Sequence, residues 1–227
     1  MFANFDFDVI RRSLGYLFFD GMTFTLTLTG LATVGALVFG TLLALMRLSN
    51  SRLMGRIAGV YVDLMRSLPL VLVIFWFYFL VPYIGQWLTG ASRPIRVGAF
   101  TSTLITFIMF EAAYFSEIMR AGIQSISRGQ PAAAQALGLT YRQTMQYVVL
   151  PPLTSEFLST VKNTSVAITI GLIELTAEAR AMQEFSFQVF EAFTAATVLY
   201  LVVNIIVAIA MRFVERGLAV PGYITGK

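Results

Sequence analysis

Apolar residues run through this chain in five long stretches, near residues 21 to 47, 57 to 85, 97 to 122, 152 to 174 and 190 to 213, with short polar breaks between them. Each is about as long as the roughly twenty residues a helix needs to cross a bilayer. Inside hydrocarbon every backbone N–H and C=O must find a partner within the chain, so stretches of this length predict helices. The fourth is interrupted by Glu156 and Lys162, and the second is long enough to carry a lead-in that does not span. Thr23, Thr25, Thr27 and Thr29 alternate at a period of two, as in a strand. They nevertheless sit in a run of membrane length, where threonine returns its hydroxyl to the preceding turn, and helix is expected. Ahead of that run, Phe2, Phe5, Phe7, Ile10, Leu14, Leu17 and Phe18 recur near helical spacing with charges between them, which predicts an amphipathic helix at the outer surface. Phe75, Trp76, Phe77, Tyr78, Phe79, Tyr83 and Trp87 gather toward one end of the second stretch, as an aromatic belt does at a membrane interface.

Between the third and fourth stretches lies a polar insert, residues 129 to 152, GQPAAAQALGLTYRQTMQYVVLPP. Ser127 or Gly129 can precede a short helix, Pro131 fits its first turn, and Ala132, Ala133 and Ala134 are strong helix formers. Gly138 ends it, and Thr140 with Gln143 three residues on forms a capping box that opens a second helix. Pro151 and Pro152 mark the limit. Two short helices therefore meet at a bend. The small side chains along the first would admit another protein's surface close to the backbone, with Arg128, Arg142, Gln130 and Gln135 placed to hydrogen-bond around it. On periodicity alone, a plain surface loop fits equally well.

Composition agrees with the pattern. Hydrophobic residues make up 57% of the 227, charged residues 12%, and mean hydropathy is +0.77, whereas about 25% charged is usual for a globular domain. The absence of cysteine excludes disulfides and thiolate metal sites, and the absence of histidine removes the commonest general base and metal ligand. No catalytic residue and no metal ligand is assigned; a membrane enzyme would be left with a Ser/Lys arrangement such as Lys162 with Ser165. Asp6, Asp8 and Asp20 around Arg11 and Arg12 differ from the basic start of a cleavable signal peptide. With no Gly/Ser-rich linker and no internal repeat, one domain over residues 1–227 is expected.

Orientation follows from the basic residues, which accumulate in short cytoplasmic loops. Arg47, Arg52, Arg56, Arg120, Arg128, Arg142, Arg212, Arg216 and Lys227 fall on the side of the polar insert; Arg11, Arg12, Arg93, Arg96 and Arg180 fall on the other. Nine against five places the insert in the cytoplasm and the N-terminus outside. The net charge of +4 therefore calls for no nucleic-acid partner. A phosphate loop of the form G-x-x-x-x-G-K-[ST] is also missing, so ATP has no ordinary seat on this chain. Charges within the spans each cost about 2.5 to 3.5 kcal/mol at a helix centre and must face protein or water. Asp63 with Arg66 and Glu117 with Arg120 are three apart, which suggests self-neutralising pairs on one helix face. Glu111 either lines a pathway or bonds between helices.

The insert resembles the cytoplasmic EAA coupling loop of permease subunits in ATP-binding-cassette importers of the polar amino-acid family, through Gly129, Gln130, Ala133, Ala134, Ala136, Leu137, Gly138 and the closing Leu150-Pro151. Arg66-Ser67-Leu68-Pro69-Leu70, Glu111-Ala112-Ala113-Tyr114, Ser116-Glu117-Ile118, Lys162-Asn163-Thr164-Ser165 and Glu174-Leu175 are similar to the same branch, so nearly the whole chain is covered. Residues 116 to 130 and 203 to 227 look most like glutamate and aspartate permeases. The resemblance implies an all-α polytopic membrane protein of the bacterial inner membrane, with about five transmembrane helices and a coupling hairpin at about 125–150. It implies contact of Arg128, Gly129, Gln130, Ala132, Ala133, Ala134, Leu137 and Gly138 with a separate ATP-binding subunit, which would hold ATP and magnesium while this chain binds no cofactor. A second permease subunit, an external solute-binding protein and membrane lipid are the other partners. The motif's leading glutamate falls here on Ala132, which suggests that the second permease is non-identical. Lys162, Asn163, Thr164 and Ser165 place a cation and three hydrogen-bonding groups where an anionic amino acid would lose its water, and with Arg66 and Glu111 they form the candidate substrate pathway. Thr and Ser equally serve to hold membrane helices together. An ion-coupled secondary amino-acid carrier is the alternative function.

Overall fold

A computed structural model of the protein describes residues 5–125 and 153–217. Among the described residues all regular elements are helical, and four helices are long and apolar enough to cross a membrane: Phe7–Leu48, Leu70–Thr89, Ala99–Gln124 and Val189–Val214.

Helix α1, Phe7–Tyr16, starts where the Asp6 carboxylate accepts hydrogen bonds from the N–H groups of Asp8 and Val9. It runs through a π-helical turn, Leu17–Met22, into α2, Thr23–Leu48, so the amphipathic segment expected from the sequence continues into the first span instead of standing apart. Forty-two residues at 1.5 Å each measure about 63 Å, twice a hydrocarbon core of about 30 Å, which leaves α1 and its charges beyond the apolar layer. The threonine stripe is helical: the hydroxyls of Thr27 and Thr29 donate to the carbonyls of Thr23 and Thr25, each at 2.8 Å.

The second apolar stretch is two elements. Helix α3, Arg52–Ser67, ends at extended Leu68, because the residue before a proline is pushed out of the helical region. From Pro69 the chain restarts as α4, Leu70–Phe75, passes a π turn at Trp76–Leu80 and continues as α5, Val81–Thr89. Pro82 offers no N–H to the turn before it, and the wider π turn accommodates that gap. The non-spanning lead-in is thus a separate helix, α3. The span itself exposes Trp76, Phe79, Tyr83 and Trp87, while Phe75, Phe77 and Tyr78 pack toward the core.

Helix α6, Ala99–Ser125, runs parallel to α2: Phe24 meets Phe100 edge-on at one end, and Arg47 meets Glu117 at the other. Buried Ala32, Ala36, Gly40 and Ala44 recur every four residues on α2, and Ala112, Ala113 and Ser116 are buried on α6. Small residues let two membrane helices approach backbone to backbone. At Gly40 a Cβ would lie 2.9 Å from the Ala112 carbonyl and from the Phe115 Cβ, so no larger residue fits. The fourth expected span appears as α7, residues 153–163, followed by a 3₁₀ segment, Thr164–Ile170, that stops at Gly171. Helix α8, Leu175–Ser186, then packs across the start of α2, where a Cβ on Gly21 would stand 2.9 Å from the Leu175 Cα, and α9, Val189–Gly217, completes the described chain.

Three cores result. Ala36, Leu43, Ala58, Val62, Ala112, Ala113 and Phe115 join α2, α3 and α6. Phe107, Phe110, Val73 and Ile74 join α4 and α6 with Ala167 and Ile170 of the 3₁₀ segment. Leu17, Met22, Leu175, Met182 and Ala192 gather the π turn with α8 and α9.

Candidate functional site

Helix α6 carries polar side chains into the middle of an apolar bundle: Ser102, Thr103, Thr106, Glu111 and Ser116 are all buried. Thr106 returns its hydroxyl to the Ser102 carbonyl at 2.8 Å, the local solution for a hydroxyl without water. Glu111 has no such local escape. It is fully buried, and the Asn163 amide on α7 donates to its Oε1 at 3.1 Å, with the Glu156 carboxyl of the same helix alongside. Glu111 thus bonds between helices. Its Oε2 has no hydrogen-bond partner among the described residues.

The Lys162–Ser165 motif does not converge on one point. Asn163 turns to Glu111, whereas Thr164 donates to the Val161 carbonyl at 2.7 Å and Ser165 to the Lys162 carbonyl at 2.8 Å. Both hydroxyls serve the turn at which α7 tightens into the 3₁₀ segment. Lys162 is exposed, and among the described residues no ion pair joins it to Glu156. Its ammonium projects from a face of α7 that the described residues leave uncovered.

A second carboxylate lies about one and a half turns further along α6. Glu117 receives Arg47 from α2 at 2.5 Å, Arg120 from its own helix at 2.5 Å and Arg66 from α3 at 3.8 Å. Three helices are therefore fastened to one side chain. The Arg120 guanidinium also donates to Gln124, and the Arg66 guanidinium stands 5.6 Å from the centroid of the Tyr114 ring, a cation–π arrangement. The expected Glu117–Arg120 pair is present. The expected Asp63–Arg66 pair is not: Arg66 reaches across to α6, where Glu117 and Tyr114 offer a partly buried seat, while Asp63 stays exposed. Arg66, Tyr114, Glu111, Glu117, Glu156 and Asn163 thus form one polar seam between α3, α6 and α7.

Sequence reasoning missed a third carboxylate at the opposite end of the molecule. Glu174 is buried as the N-cap of α8, accepting from the N–H groups of Thr176 and Ala177 at 2.9 Å and from the Tyr200 hydroxyl of α9 at 2.8 Å. Beside it the Leu175 N–H donates to the Thr25 hydroxyl of α2 at 3.3 Å. Glutamate is an uncommon cap, so the usual Ser/Thr/Asp/Asn signal was absent. Below it, burial and then the neighbouring Asp20 charge raise the Glu178 carboxyl above its ordinary pKa. The coupling residues Arg128, Gly129, Gln130, Ala132, Ala133, Ala134, Leu137 and Gly138 lie outside the described residues.

Known proteins match this architecture over almost its whole length. Residues 36–220 match the family described as binding-protein-dependent transport system inner membrane component. The glutamate/aspartate import permease protein GltK of Escherichia coli O6:H1 is 38% identical over 223 residues, covering 94% of this chain and 98% of that protein. GltJ, the glutamate/aspartate import permease protein of Escherichia coli K12, is 34% identical over 227 residues, covering 94% and 92%. A probable glutamine ABC transporter permease, GlnM of Bacillus subtilis, is 30% identical over 210 residues, covering 89% and 93%. Among solved structures, an amino acid ABC transporter crystallised with histidines superimposes with a TM-score of 0.75 at 28% identity, covering 94% of this chain and 99% of that one. The chain belongs to the family of binding-protein-dependent transport system inner membrane components, as a permease subunit of an ABC amino-acid importer.

Proposed function

We propose that this permease forms half of an importer for glutamate and aspartate, driven by ATP that a separate subunit binds with magnesium and hydrolyses. The observation that carries the mechanism is one of connection: residues 126–152 leave α6 and return as α7, the two helices joined by Glu111 and Asn163. A push on that segment acts directly on the polar seam. Arg128, Gly129, Gln130, Ala132, Ala133, Ala134, Leu137 and Gly138 would bear on the ATP-binding subunit from the cytoplasm, an orientation supported by the nine basic residues on that side against five on the other. The substrate reading draws on the names of GltK and GltJ, while the glutamine permease at 30% identity marks a competing substrate.

Two different glutamate/aspartate permeases of one Escherichia coli strain resemble this chain, and Ala132 stands where the coupling motif has its leading glutamate. Both support a non-identical second permease that retains the acidic contact. An external solute-binding protein would deliver the amino acid to the face opposite residues 126–152. Lys162, exposed on α7, would meet the substrate carboxylate in a pathway completed by the second permease, with Arg66, Glu111, Asn163, Thr164 and Ser165 lining or supporting it. The test is uptake into vesicles holding the purified complex and its binding protein. ATP-dependent accumulation of glutamate in preference to glutamine is expected, with Lys162→Ala raising the half-saturating concentration. Preference for glutamine, or an unchanged Lys162→Ala variant, would overturn the substrate assignment or the role of Lys162 respectively.

A further inference from the structure

One carboxylate holding three arginines from three helices is more than topology or solubility demands. Arg47 and Arg120 keep only 14% and 26% of their side-chain surface in solvent and Glu117 keeps 22%, so these charges are partly desolvated and depend on one another. Their positions are specific. Arg47 stands one residue before the end of α2, Arg66 one residue before the end of α3, and Glu117 with Arg120 in the last three turns of α6 before residue 126. The core beneath them, Leu43, Ala58, Val62 and Phe115, packs the same three helices, and the Tyr61 hydroxyl of α3 donates to the Met109 carbonyl of α6 at 2.9 Å. Helix α7, which receives the other end of residues 126–152, is fastened differently. Its contacts with this block include the Asn163–Glu111 hydrogen bond, the Glu156 carboxyl and the Thr160 hydroxyl beside Glu111, the Glu156 charge facing Arg66 and Leu153 against the core, while among the described residues no ion pair joins it to Glu117.

We propose that Glu117 is a positioning residue that locks the ends of α2, α3 and α6 into one lever, so that displacement of residues 126–152 moves these three helices together and moves them relative to α7. The inference rests on the importer reading given above and adds to it which helices travel as one body. Paired charges suit such a lever, because removing Glu117 leaves three like charges crowded together and drives the helix ends apart, whereas loss of one arginine leaves two partners in place.

The test uses the complete complex reconstituted with its binding protein. The chain has no cysteine, so engineered cysteines can be spin-labelled in an otherwise native background. Labels at the exposed positions Asn50→Cys and Ala121→Cys report α2 against α6; Ala121→Cys with Ser155→Cys reports α6 against α7. Between nucleotide-free and ATP-bound states the first distance stays within about 2 Å while the second changes by more than that. Glu117→Gln broadens the first distance and lowers amino acid taken up per ATP hydrolysed by about tenfold, and Glu117→Asp, which keeps the charge, restores most of that ratio. A first distance that shifts with ATP in the unsubstituted complex overturns the proposal even if Glu117→Gln fails to assemble, and so does an unchanged uptake-to-ATP ratio in a Glu117→Gln complex that does assemble. Absence of ATP-driven uptake in the unsubstituted complex would instead overturn the importer reading.

Discussion

The two ends of α2 are fastened by opposite means. In its last turn, Arg47 enters a charge cluster in which one carboxylate serves three helices. At the other end, Thr25 and Gly21 meet α8 through a hydroxyl and a bare backbone, and the nearby carboxylate of Glu174 engages two N–H groups and a tyrosine hydroxyl but, among the described residues, no cation. The first arrangement concentrates its connections in a single side chain. The second divides them among short, directional hydrogen bonds and close packing. A joint that must carry force from another subunit is served by the first, and a joint that must hold a crossing helix in place is served by the second.

Substitutions can separate the two. The largest loss of stability is expected at Gly40, where Gly40→Leu drives a side chain into the Ala112 backbone and the Phe115 Cβ and costs on the order of 3 kcal/mol, seen as loss of assembled complex after detergent extraction. At the opposite end, Glu174→Ala uncaps α8 and takes the carboxylate acceptor from the Tyr200 hydroxyl, leaving it the longer contact with the Thr176 hydroxyl at 3.4 Å. A loss of about 2 kcal/mol follows, read by thermal unfolding, with the α2–α6 distance unaltered. Tyr200→Phe removes one of those bonds and costs about 1 kcal/mol in the same assay.

Glu178 supplies a pH dependence of known sign. Its carboxyl is raised by burial and by Asp20, so the folded state holds the proton more tightly than the unfolded chain. Stability from this group is fully present below the ordinary carboxylate pKa and is lost as pH rises through the elevated one. Glu178→Gln should therefore raise the melting temperature by about 2 °C at neutral pH and lose that advantage on acidification. The smallest effect is expected from Arg180→Ala, since the Arg180–Glu184 pair is about 60% exposed on both sides: a change within about 0.5 kcal/mol.

Much of the bundle was legible in the order of residues. Pro69 marks a break because a proline constrains its predecessor, and Thr27 and Thr29 are helical because a membrane leaves their hydroxyls only the preceding turn. Arg66, Glu111 and Asn163 were recognisable as costly polar groups within apolar stretches, and the structure brings all three to one seam. Their partners were not recognisable. Arg47 and Glu117 are 70 residues apart, and local periodicity says which residues share a helix face but not which helix that face meets. Reading Asp63 with Arg66 as a pair failed for the same reason: spacing allowed it, but Glu117 and Tyr114 on another helix offered the arginine more. Thr164 and Ser165 were recognisable as polar groups in an apolar stretch, but not the carbonyls of the turn at the end of α7 to which their hydroxyls donate.

Whether residues 126–152 receive the ATP-driven push is decided by a single cysteine at Gln130→Cys in the native complex. It is expected to react with membrane-impermeant thiol reagents only when the cytoplasmic face is opened, and a short bifunctional reagent is expected to join it to the ATP-binding subunit. Labelling from outside intact cells, or a complex that transports normally without ever forming that adduct, would contradict it.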